Sequence, residues 1–143
     1  RRPSLRPSRA RPALSSAASP PPTRATAAGW AYVAGGETVV HLRGAGKGGR
    51  NQELALAAAQ QIAGIGNAAV LALGSDGTDG PTDAAGGVVD GASRALLEAR
   101  GLRIPAILDA NDAYHGLEAC DGLLVTGPTG TNVNDVSVVL IDG

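Results

Sequence analysis

After Gly29 the rhythm of apolar and polar positions changes several times. Trp30–Ala34 and Thr38–Leu42 are short apolar runs on either side of Gly35-Gly36, a pair suited to the positive-φ positions of a tight turn. They predict a two-stranded hairpin. Beyond a glycine loop, Leu54, Ala58, Ile62 and Ile65 recur at helical spacing and predict a helix over 51–65 with that face inward. Ala68–Leu73 is a continuous apolar run of strand length, followed by a polar loop. Ser93–Arg100 reads as a helix closed by Gly101, and Pro105–Leu108 as a short strand. Asn111–Cys120 reads as a helix capped by Asn111 or Asp112, and Leu123–Val125 and Val136–Ile141 as two last strands. Strands alternating with helices, and apolar on both faces, predict an α/β fold: a mixed sheet covered by helices on its two sides.

Residues 1–28 break this pattern. They are Arg, Pro, Ser and Ala, with no large apolar side chain beyond Leu5 and Leu14. Such a segment buries too little surface to offset its ordering entropy, so a disordered segment over 1–28 and one domain over 29–143 are expected. The segment is basic and acid-free, as an organelle transit peptide would be, and equally resembles an interdomain linker. Of the twelve basic residues six lie in it, whereas all thirteen acids lie beyond it. The domain is therefore acidic, and no nucleic-acid partner is expected. No apolar run is long enough to span a bilayer, and no membrane partner is expected. The single Cys120 excludes an internal disulfide and points to a reducing, cytoplasmic setting, or to an organelle if 1–28 is a transit peptide. With no Phe or Met, the core falls to Ala, Val, Leu and Ile.

Three loops carry residues suited to chemistry. The first is Gly44-Ala45-Gly46-Lys47-Gly48-Gly49-Arg50-Asn51-Gln52-Glu53, at a predicted helix start. Glycines admit close backbone approach, and free amides at a helix start attract anions. Lys47 and Arg50 are cations placed against the helix dipole, which offers them no stabilising role there and suggests an anion between them. Gly44, Gly46 and Gly49 satisfy a G-x-G-x-x-G pattern, but no acid follows about 20 residues later as a dinucleotide site requires. A phosphate-binding P-loop fails too, because Gly48 follows Lys47. The second loop, Gly74-Ser75-Asp76-Gly77-Thr78-Asp79-Gly80-Pro81-Thr82-Asp83, leaves a strand end with three carboxylates able to hold Mg²⁺ or, alternatively, to form turns and caps. The third, Thr126-Gly127-Pro128-Thr129-Gly130-Thr131-Asn132-Val133-Asn134-Asp135, offers hydroxyls, amides and glycine N–H groups to a polar or phosphorylated ligand. His41 and His115 have no Ser or Cys at telling spacing, and Cys120 shares a helical face with Ala113 and Leu117. A hydrolytic triad and a zinc site are thus unsupported.

In this order the motifs resemble the MOFRL domain, the C-terminal domain of the glycerate 2-kinase family, some of whose members carry the label hydroxypyruvate reductase. The stretches concerned are Gly35-Gly36-Glu37-Thr38, Gly48-Gly49-Arg50-Asn51-Gln52-Glu53, Gly74–Gly86 and Thr126–Asp135, and the resemblance covers roughly 34–142. It implies ATP-dependent phosphorylation of D-glycerate, with ATP and Mg²⁺ as cofactors, in a cleft shared with a larger N-terminal domain of the same enzyme. Arg50 matches a catalytic position, with Lys47 expected beside it. Gly48, Gly49, Asn51, Ser75, Thr78, Thr129, Gly130, Thr131, Asn132 and Asn134 are expected at substrate or phosphate, and Asp76 and Asp79 at the metal. The larger domain is not represented, and residues 1–28 resemble nothing in it, so the isolated chain is expected to be inactive. Three other readings stay open: part of an NAD(P)H-dependent hydroxypyruvate reductase, a non-catalytic ligand-binding module, and a truncated gene product.

Overall fold

The computed structural model describes residues 29–143; the expectation for residues 1–28 lies outside the described residues. Nine elements follow one another. They are β1 (Trp30–Gly36), α1 (Arg50–Gln61), β2 (Ala68–Gly74), β3 (Gly86–Asp90), α2 (Ser93–Ala99), α3 (Ile104–Asp109), α4 (Ala113–Ala119), β4 (Leu123–Leu124) and β5 (Asp135–Ile141). The strands form one sheet in the order β1-β5-β2-β3-β4. The α/β class holds. Within it every pairing is antiparallel, so the sheet is not mixed.

The predicted hairpin is replaced by a longer-range pairing. β1 runs through Gly36 and pairs with β5, while residues 37–43 form no strand. Val39 and Leu42 in that segment are 84% and 79% exposed, so the apolar alternation there never meets a core. Between Pro105 and Leu108 the expected strand is part of a helix. Pro105 sits in its first turn, where a missing N–H costs nothing, and Ile104 and Ile107, one turn apart, are both buried. β3 was hidden by its own glycines. A side chain at Gly86 would overlap the Ala72 carbonyl oxygen, and one at Gly87 would run into Leu117, so glycine is what lets β3 lie against β2 and α4.

The four helices of the described residues lie on one side of the sheet. The core gathers Ala55, Leu56 and Ala59 of α1 with Val70, Ala72, Val89, Leu97, Ile104, Ile107, Ala113, Leu117 and Cys120. Fully burying a leucine such as Leu56 contributes about 1.5–3 kcal/mol. The face of α1 turned most deeply inward is thus Ala55, Leu56 and Ala59, with Leu54, Ala58 and Ile62 at its flank. Alanines take the centre because the helix lies close over Gly87. The helix ends at Gln61, and Ile65, expected on its inner face, is 45% exposed. As read from the sequence, Gly101 sits just past α2 with φ of +74°. Among the described residues no helix is long and apolar enough to cross a membrane.

Candidate functional site

The three loops meet at one end of the sheet, where Gly74 of β2 pairs with Asp135 of β5. The first and second are joined by Asp79, which is 3% exposed. Its Oδ1 accepts from the Asn51 backbone N–H (3.1 Å) and the Asn51 side-chain amide (3.2 Å), and its Oδ2 from the Gln52 backbone N–H (2.8 Å). A buried carboxylate therefore satisfies two of the orphan amides of α1, those of Asn51 and Gln52, with the favourable sign for the helix dipole. Burial pushes the Asp79 carboxyl above its ordinary value, against the pull of the Gln52 and Asn51 hydrogen bonds. Gly49, the residue before α1, is obligatory here, since any side chain would overlap the Asp79 carboxylate.

This changes the reading of several positions. The helix start holds its own anion, so the Asn51 and Gln52 amides are engaged internally rather than open to a ligand phosphate. Asn51 is 1% exposed and belongs to that cap rather than to an open surface. Asp79 was expected at a metal, but both its oxygens are committed to α1. Asp76 accepts through Oδ1 from the Thr78 backbone and hydroxyl, each at 3.0 Å. Among the described residues no three His, Cys, Asp or Glu side chains are grouped to hold a metal ion. Gly44 and Gly46 also owe their identity to packing. Both press against residues 110–112, where Asn111 Oδ1 accepts from the Arg43 and Gly44 N–H groups at 2.6 and 2.8 Å.

The second and third loops are sewn together. Ser75 Oγ accepts from Val133 N–H (2.7 Å), Ser75 N–H donates to the Asn134 carbonyl (3.2 Å), and Thr129 N–H to the Asp76 carbonyl (3.1 Å). Asn132 Oδ1 accepts from Asn134 N–H at 3.1 Å. Thr78, Thr129, Gly130, Thr131, Asn132 and Asn134 all remain exposed on this rim.

The two basic residues have separate partners. Lys47 Nζ lies 3.5 Å from the centroid of the Tyr114 ring and 3.9 Å from Asp83, whose Oδ1 accepts from the Tyr114 hydroxyl at 2.8 Å. That hydroxyl bond holds the Asp83 carboxyl below its usual value. Arg50 turns to Asp135 instead. Its Nε donates to Oδ2 at 2.6 Å and its Nη2 to Oδ1 at 2.9 Å, while Nη1 stands 3.5 Å from Glu37. Asp135 is 4% exposed, and Arg50 draws its carboxyl below the ordinary range. Arg50 thus has a stabilising partner after all, contrary to the expectation from the dipole alone. It also lines a cleft of about 370 Å³ with Glu37, Thr38, Gly48, Gly49 and Pro81. Sequence reasoning passed over Asp135; its signal was a lone acid at a strand start. Tyr114 and Asn111 gave no comparable signal, since only the fold brings them to the first loop.

A family model described as the MOFRL family matches residues 30–135. The chain belongs to the MOFRL family. This MOFRL domain is 55% identical over 111 residues to a protein named D-glycerate 2-kinase from Thermotoga maritima, covering 78% of this chain and 27% of that one. It is 47% identical over 110 residues to a protein named glycerate 2-kinase from Pyrococcus horikoshii, covering 76% and 25%. A protein of Agrobacterium vitis named putative hydroxypyruvate reductase is 40% identical over 111 residues, covering 76% and 25%. The crystal structure described as glycerate kinase from Thermotoga maritima superposes with a TM-score of 0.77 at 55% identity, over 78% of this chain and 27% of that one. The MOFRL domain therefore spans about a quarter of the length of the curated relatives it matches.

Proposed function

We propose that this domain is the C-terminal part of a glycerate 2-kinase, which transfers the γ-phosphoryl group of ATP to D-glycerate in a cleft shared with a larger portion of the same polypeptide. The observation carrying the reading is 55% identity, across nearly the whole described domain, to a protein named D-glycerate 2-kinase. The geometry fits the task. Phosphoryl transfer needs positioning and charge neutralisation more than covalent help. Arg50 brings a guanidinium to the cleft, and its end-on nitrogens suit a carboxylate or phosphoryl group. The rim residues Thr78, Thr129, Gly130, Thr131, Asn132 and Asn134 are exposed on the second and third loops, where their polar groups can meet a ligand. Ser75 acts by holding the third loop in place.

The described residues do not by themselves fit a Mg²⁺ site, because Asp79 is enclosed as a helix cap, and no step is assigned to that ion. Lys47 stands over Tyr114 as a second cation on the first loop. The missing partner is the remainder of a longer chain, since relatives are about four times as long as the matched region.

The test is ATP-dependent phosphorylation of D-glycerate by the full-length protein. Arg50→Ala should lower kcat by roughly 10²–10³, the scale of losing one preorganised charge stabiliser. Normal kcat in folded Arg50→Ala would overturn its catalytic role. The names of the Agrobacterium vitis relatives favour a second reading, reduction of hydroxypyruvate. NADH oxidation with hydroxypyruvate, and no phosphorylation of glycerate, would establish that reading instead.

A further inference from the structure

The geometry points to Asp135 as the positioning residue for Arg50: it fixes the guanidinium by one edge so that the other edge faces the cleft before any ligand arrives. This rests on the reading of Arg50 as the charge-stabilising group.

A guanidinium offers donors along distinct edges. Asp135 takes the side-on edge through two parallel bonds, Nε to Oδ2 at 2.6 Å and Nη2 to Oδ1 at 2.9 Å. The end-on edge, Nη1 with the second hydrogen of Nη2, is left over. Nη1 stands 3.5 Å from Glu37, whose side chain is 65% exposed and lines the same cleft, so this edge is turned toward the cleft and an anionic ligand would displace the exposed Glu37 from it. Asp135 cannot serve a ligand itself, because its side chain is 5% exposed and both oxygens are occupied.

Its support is rigid. Asp135 is the first residue of β5, paired with Gly36 of β1 on one side and Gly74 of β2 on the other. Arg50 opens α1 and would otherwise keep the rotamer freedom of a long side chain. Fixing that freedom in the free protein removes its cost from the binding step.

The experiment compares Asp135→Asn in the wild-type and Arg50→Ala backgrounds of the full-length protein. If Asp135 acts through Arg50, Asp135→Asn lowers kcat for glycerate about 10–100-fold, as loss of an orienting partner does, and changes the residual activity of Arg50→Ala less than about 2-fold. An equal loss in both backgrounds, or no loss in the first, overturns the proposal. Should Asp135→Asn fail to fold, Asp135→Glu displaces the carboxylate by one methylene and the same comparison is read on it. A second readout separates this proposal from the kinase reading. The Arg50 Nε–H resonance, identified by its loss in Arg50→Ala, should be sharp in wild type and broadened in Asp135→Asn, with inorganic phosphate binding weakened about 10-fold. A wild type that binds phosphate in this way yet never phosphorylates glycerate sinks the kinase reading alone. Phosphate binding that is absent, or equal in both proteins, sinks the positioning role.

Discussion

Asp79 and Asp135 are both buried carboxylates beside α1, yet they respond to pH with opposite sign. Asp135 is held below the ordinary 3.8 by Arg50, so it contributes stability that is present above pH 3.8 and lost as pH falls through its lower folded value. Asp79 is raised above 3.8 by burial, so folding favours its protonated form, and its contribution declines as pH rises from 3.8 toward its higher folded value. Below pH 3.8 Asp79 is protonated in both states, and the carboxylates held low, Asp135 together with the more exposed Asp83 and Asp112, carry the dependence. Thermal midpoints measured from pH 4 downward should therefore fall in wild type and fall less steeply in Asp135→Asn; parallel slopes would contradict this assignment. Asp79→Ala should cost about 2–3 kcal/mol in urea unfolding at neutral pH, because it removes a helix cap and strands buried amides. Arg50→Ala should cost about 1–3 kcal/mol by stranding the Asp135 carboxylate, at the low end of buried-pair losses because the guanidinium is 37% exposed. An unchanged midpoint in either variant would show that the bond drawn there carries no weight.

At the scale of elements, the glycines separate into two kinds that urea unfolding can tell apart. Gly86 lies in β3, where a methyl group would meet the rigid Ala72 carbonyl oxygen across the strand pair. Gly64 follows α1 with φ of +80° and open space around it. Gly64→Ala meets only the left-handed backbone strain, about 1 kcal/mol. Gly86→Ala must push β2 and β3 apart and should cost more, about 3 kcal/mol. Equal costs would mean that β3 yields easily and that the close pairing is not what demands glycine. The same elements explain what was legible. The repeat in α1 and the apolar run of β2 are local signals, so both appear in the sequence. β3 reads as a loop because its glycines answer to Ala72 and Leu117, residues far away in the chain.

Among the described residues nothing covers one face of the sheet. By the strand register Val33, Leu71, Leu73, Val88, Val136, Val138 and Leu140 point away from the helices. Val33, Leu140 and Val88 are 71%, 49% and 39% exposed. An apolar surface of this kind marks a contact or an aggregation liability. Produced alone, the 143-residue chain should self-associate and lack glycerate kinase activity. Replacing Val33 and Leu140 together by Lys should keep it monomeric in sedimentation while changing stability by less than about 1 kcal/mol. In the full-length protein the same pair should lower the thermal midpoint, provided the larger portion packs on this face. Unaltered self-association would show that the face is not the adhesive surface.

What the sequence determined by itself was the α/β class, β1 as a strand, α1, β2, α2, α4, β4 and β5, the three polar loops and, through their order, the family. Each of these rests on neighbours in the chain: helical spacing, an apolar run, a glycine after a helix, a motif read as a string. What only the tertiary structure decided was the role of each polar residue within those loops. Asp79 could be a ligand or a cap until α1 placed its amides around it. Arg50 looked destabilising until β5 delivered Asp135 to it from 85 residues away. The two apolar faces of the sheet predicted two helix layers, but the helices all went to one side, since chain alternation states that a face is apolar and not what covers it. Charge, burial and hydrogen-bond partners are properties of a place in space, and the chain order fixes them only once it has folded.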